Sequence, residues 1–167
     1  MNSLTLYLFE QFTIMNRAVI TFSILGTLAC NVAIADEWIA GGASDNSEKL
    51  INISSIEKDG DVLGTWVIHI SNSTDNGVAY ELVWEEFNCK AKKMRYLDYF
   101  AYDFSGQNIK TDNGNGEWDR VLPGTVGEAS FNAVCKEPQP EVIIADETPS
   151  DIADKVRKYR ISTGDWK

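Results

Sequence analysis

Two stretches of two-residue alternation flank an Asn-Gly pair, and this arrangement admits little besides antiparallel sheet. In Val62–Ser71, Trp66, Ile68 and Ile70 fall on one face and Val67 and His69 on the other, because successive strand side chains point to opposite sides. Asn76-Gly77 follows, two residues that tolerate positive φ in a hairpin. The chain then resumes over Val78–Phe87 as Ala79-Tyr80-Glu81-Leu82-Val83-Trp84, aromatic and β-branched residues that suit a pleated surface. Lys49–Ile56, closed by the turn cluster Lys58-Asp59-Gly60-Asp61, reads as an earlier strand. Asn88–Asp103 either continues the strand or starts a new one after a bend, and Gln107–Thr111 returns after the Ser105-Gly106 turn. Thr-Asp-Asn-Gly occurs at 74–77 and at 111–114 with unmatched flanks, which is repeated turn chemistry rather than a domain repeat.

Pro123-Gly124 ends the strand pattern. Thr125-Val126-Gly127-Glu128 has the spacing of a capping box and opens a short helix through Val134-Cys135, with Val126, Ala129, Ala133 and Val134 on its expected buried side. Lys136–Thr148, rich in acids and prolines, reads as a linker or extended segment. Thr148-Pro149 then caps a second helix in which Ile152, Val156 and Tyr159 recur at helical spacing, followed by a polar tail over Arg160–Trp166. The fold class expected is α+β, a single twisted antiparallel sheet with a short C-terminal helix.

The start of the chain reads as an export signal. Arg17 precedes the uncharged apolar stretch Ala18–Ala29, and Ala33-Ile34-Ala35 is an A-x-A cleavage site that sets the mature start at Asp36. Met15 is then the expected true start. A rival reading makes Cys30 a lipidated cysteine, which alone would bring in a membrane. Export leaves Cys89 and Cys135, 46 positions apart, in an oxidising compartment. A disulfide is the simplest use of that pair. It would tie the first helix to the sheet and stabilise the fold by roughly 4 kcal/mol. The organisation expected is 1–35 signal, 36–136 domain, and 137–167 linker, helix and tail.

Charge narrows the function. With 15 Lys+Arg against 25 Asp+Glu the net charge is −10, which argues against nucleic acid as a partner. One histidine and three cysteines are little material for a metal site, and no metal ligands are assigned. Asp112, Asn113, Asn115, Glu117 and Asp119 do not match a calcium-loop spacing and read as a turn. His69 reads as a surface or satisfied side chain. No G-x-S-x-G is present and the chain reads as non-enzymatic. The informative charge feature is Lys90, Lys92, Lys93 and Arg95, followed by Tyr96 and Tyr99. These six are the candidate binding residues, a basic and aromatic surface for a protein partner. The competing reading is a solvated face that guards a strand edge. Trp38, Trp66, Trp84 and Trp118 are expected in the core and Trp166 exposed.

The order of these features carries a resemblance. Trp66 lies on an early strand, and Phe87-Asn88-Cys89 precedes the basic run. Tyr102 and Gly106 follow, then Trp118, Val121-Leu122-Pro123-Gly124-Thr125, Glu128 and Val134-Cys135. Over Trp38–Cys135 the chain resembles the surface-adhesin protein E-like domain of bacterial exported proteins. The resemblance implies an antiparallel sheet with a disulfide-tied helix, and binding of host matrix proteins such as vitronectin and laminin, with haem bound by some relatives and no cofactor otherwise. The alternative function is a periplasmic housekeeping or inhibitor protein that binds another bacterial protein. Location is accordingly the periplasm or the outer cell surface. Sheet edges that pair across a two-fold axis allow a homodimer.

Overall fold

The computed structural model describes residues 36–73, 76–136 and 144–166. The start-site, signal-cleavage and Cys30 readings lie outside the described residues. Nine strands form one sheet: β1 (Glu37–Ala43), β2 (Ser47–Asn52), β3 (Glu57–Asp59), β4 (Val62–Ser71), β5 (Tyr80–Asn88), β6 (Lys93–Tyr102), β7 (Asn108–Asn113), β8 (Asp119–Arg120) and β9 (Ile144–Ala145). Their order is β7-β6-β5-β4-β2-β1-β9, with β3 against β4 and β8 against β6, and the pairings are antiparallel. Among the described residues two α-helices pack on the sheet, α1 (Val126–Cys135) and α2 (Pro149–Ser162). The α+β expectation with a single antiparallel sheet holds, and Cys89 is bonded to Cys135 with Cα atoms 5.5 Å apart.

The register sorts the side chains into two faces. On the first, Ile39, Ile51, Val67, Phe87 and Met94 pack against Phe131, Ala133 and Val134 of α1. On the second, Trp38, Leu50, Ile68, Ile70 and Tyr80 pack against Ile152 and Ala153 of α2 and against Trp166. Full burial of each such aliphatic side chain contributes about 1.5–3 kcal/mol. Helix α1 lies over Met94 and reaches across to Gly42 of β1, beside Lys49, while α2 packs on Ile70 and Tyr80. The helices therefore lie on opposite faces of the sheet.

Several elements depart from expectation for identifiable reasons. The Lys49–Ile56 strand stops at Asn52, whose side chain accepts from Ser54 N and turns Ile53–Ser55 into a 3₁₀ turn. In α1 the buried residues are Ser130, Phe131, Ala133 and Val134, while Ala129 is exposed and Val126 half-buried. The helix lies close on β1 at Gly42, where φ is +123° and a Cβ would come within 2.7 Å of the Ala129 Cβ. Ser130 Oγ donates to the Gly41 carbonyl across the same contact, at 2.7 Å. The polar tail is also corrected. Helix α2 runs to Ser162, and Trp166, 2% exposed, folds back under the Arg157 and Arg160 guanidiniums.

Candidate functional site

The first face carries its polar residues in transverse rows set by the strand register. One row runs Lys49–His69–Glu81–Ala101–Lys110 across β2, β4, β5, β6 and β7. The next runs Ile51–Val67–Val83–Tyr99–Asp112, and a third runs Thr65–Glu85–Tyr96. Tyr96 and Tyr99 are three positions apart and plain alternation would separate them. A bulge sets Leu97 and Asp98 of β6 opposite Trp84, so both tyrosines reach the same face. These rows line an open cleft of about 610 Å³ whose walls include Lys49, His69, Glu81, Tyr96, Tyr99 and Lys110.

Glu85 lies at the base of this region, completely buried, with one oxygen holding two donors. Lys49 Nζ reaches Oε1 at 2.7 Å and His69 Nε2 at 2.5 Å. A carboxylate only accepts, so His69 carries its proton on Nε2 in this contact. Burial pushes the Glu85 carboxyl up, but the Lys49 charge and the His69 hydrogen bond outweigh it and hold it below the usual carboxylate range. The second oxygen, Oε2, is buried with no hydrogen-bond partner. The Lys49 ammonium also sits 5.2 Å from the Tyr96 ring centre, and the His69 ring meets Tyr96 edge-on. Tyr99 donates its hydroxyl to Glu81 at 2.8 Å, and burial together with that bond pushes it up to about 12.

The six residues singled out from sequence do not form one patch. Lys90 and Lys92 lie in the turn between β5 and β6, and Lys92 takes a positive φ of 54°. Lys90 pairs loosely with Asp61 at 3.5 Å. Lys93 and Arg95 begin β6 on the second face, where Arg95 binds Glu86 at 2.6 Å and stacks on Trp118. Tyr96 and Tyr99 line the cleft on the first face. The disulfide places Lys136 beside this basic turn, and Arg120 pairs with Lys93 across β8 and β6.

Of the tryptophans expected in the core, Trp38 is buried, whereas Trp66, Trp84 and Trp118 are half-buried. Trp66 and Trp84 meet edge to face at 5.2 Å on the second face, near Phe100. Sequence reasoning missed Lys49, Glu81 and Glu85. Strand parity was the available signal, since Glu85 alternates with Val83 and Phe87.

His69 turns Nε2 to Glu85 and has Nδ1 3.8 Å from Glu81 Oε2. The arrangement does not fit haem held through a histidine. Among the described residues no group of three or more His, Cys, Asp or Glu is placed to hold a metal ion, and no helix is long and apolar enough to cross a membrane.

A search of curated proteins and a search of solved structures each returned no match to the chain. The sequence model of the surface-adhesin protein E family matches residues 38–136, more than half of the 167 residues. The matched span holds eight of the nine strands, α1, both bonded cysteines and every residue of the cleft. The chain is a member of the surface-adhesin protein E family, an adhesin-like exported protein.

Proposed function

We propose that this protein is a non-enzymatic binding module, exported with Asp36 as its mature start, that recognises a protein partner of the host matrix class through the cleft on the first face. The observation that carries the reading is an open cleft on that face, about 610 Å³, walled by two tyrosines and by charges of both signs. Tyrosine gives contact area at low entropic cost, which favours it at protein interfaces. The basic turn at Lys90, Lys92 and Lys93 is a separate surface that can add long-range attraction. The test is binding of the full chain to immobilised matrix proteins. Tyr96→Ala and Tyr99→Ala are expected to weaken binding at least tenfold while far-UV and near-UV dichroism stay unchanged. Lys92→Glu with Lys93→Glu is expected to slow association and to change its salt dependence. Full binding by both tyrosine variants would remove the cleft from the reading. Protease treatment of intact cells separates an outer-surface protein, which is cut, from a periplasmic one, which is not.

The homodimer is proposed through β7, which ends the sheet on one side with all six residues exposed. Gly114 N donates to the Leu97 carbonyl. Antiparallel parity then turns the backbone groups of Ile109, Thr111 and Asn113 away from β6. Sedimentation equilibrium is expected to show a dimer that Thr111→Pro abolishes, because proline removes a ladder donor.

A further inference from the structure

The charges around the cleft are not equally committed. Lys49 and His69 are both bonded to buried Glu85. Glu81 holds the Tyr99 hydroxyl, and Asp112 stands opposite Tyr99 in the neighbouring strand. The Tyr99 ring thus has a carboxylate at its hydroxyl end and another beside it. Lys110 sits in this seat. Its ammonium is 5.3 Å from the Tyr99 ring centre and 3.6 Å from Asp112 Oδ2, on a side chain that is 62% exposed. Exposed ion pairs and exposed cation–π contacts contribute little, so this occupant is weakly held. With Lys110 turned aside, Glu81 and Asp112 remain on the cleft wall with Lys49, an excess of acid. The whole chain at −10 attracts a basic partner over the same sign of field.

We propose that the cleft accepts an arginine side chain from a basic segment of the partner protein, which displaces Lys110 from Tyr99 and Asp112. A guanidinium suits the seat better than an ammonium. It stacks flat on an aromatic ring and offers a planar fork to a carboxylate. The inference rests on the reading of the cleft as the contact surface, and it reverses the expectation for one lysine. Removing Lys110 improves binding, because it takes away an internal competitor.

Two nine-residue Gly/Ser peptides, one with three arginines and one with three glutamates, are titrated into the ¹⁵N-labelled full chain. Affinities are taken from the shift of backbone amides on β5, β6 and β7. The arginine peptide is expected to shift Tyr96, Tyr99 and Asp112. Lys110→Ala is expected to tighten it two- to fivefold relative to Lys158→Ala, which removes the same charge outside the cleft. Asp112→Asn is expected to weaken it at least threefold. Preference for the glutamate peptide, or Lys110→Ala no tighter than Lys158→Ala, overturns the arginine assignment while the cleft stands. If neither peptide shifts cleft amides and matrix proteins do not either, the cleft reading falls with it.

Discussion

Glu85 occupies a strand position that alternation gives to the same face as Val83 and Phe87, so a carboxylate stands where the pattern calls for an apolar side chain. Its two donors come from 36 and 16 residues away, so strand parity offered an unused signal for the position and none for its partners. Removing one member of a buried pair strands the other. Glu85→Gln is expected to cost about 3 kcal/mol in urea unfolding. Its folded-state pKa is depressed, so the stability it contributes is present above the unfolded value of 4.5 and is lost as pH falls from there through the folded value. The midpoint of urea unfolding should therefore drop more steeply below pH 4.5 in the wild type than in Glu85→Gln. Trp166 is the opposite lesson. Its neighbours in sequence are polar, and only the fold reveals that it is enclosed with Trp38 and Ile152. Trp166→Ala is expected to cost about 3–5 kcal/mol by the same assay.

At the scale of elements, punctuation was legible and irregularity was not. Thr125 accepts from Glu128 N at 3.2 Å, as the capping spacing requires, although the Glu128 carboxylate reaches Gly124 N rather than the cap itself. Thr125→Ala should cost about 1 kcal/mol. Thr148 caps α2 in the same manner through Asp151 N. The bulge in β6 left no comparable mark, because Leu97-Asp98 is ordinary strand sequence, and with it went the knowledge that Tyr96 and Tyr99 share a face. Gly64 shows how tightly the second face is fitted: a Cβ there would lie 2.6 Å from the Trp84 ring. Gly64→Ala is expected to move that ring, seen as a change in near-ultraviolet dichroism, and to cost about 1–3 kcal/mol.

For the molecule as a whole, the family match ends at residue 136, yet α2 and Trp166 seal a core that begins at Trp38. Truncation after Lys136 is expected to expose Trp38, Leu50 and Ile70 and to produce strong binding of a hydrophobic dye. Breaking the 46-residue disulfide loop with Cys89→Ser and Cys135→Ser should lower stability by roughly 4 kcal/mol. The antiparallel architecture was legible from alternation and turn residues alone, whereas the placement of the helices on opposite faces was not, because neither helix sequence records which face of the sheet it meets. One face holds the charged cleft and the other holds the half-buried Trp66 and Trp84, and the sheet stands between them as a wall. An occupant on one side meets none of the atoms available to an occupant on the other, so the protein can be held from both sides at once, as a spacer is held between two plates.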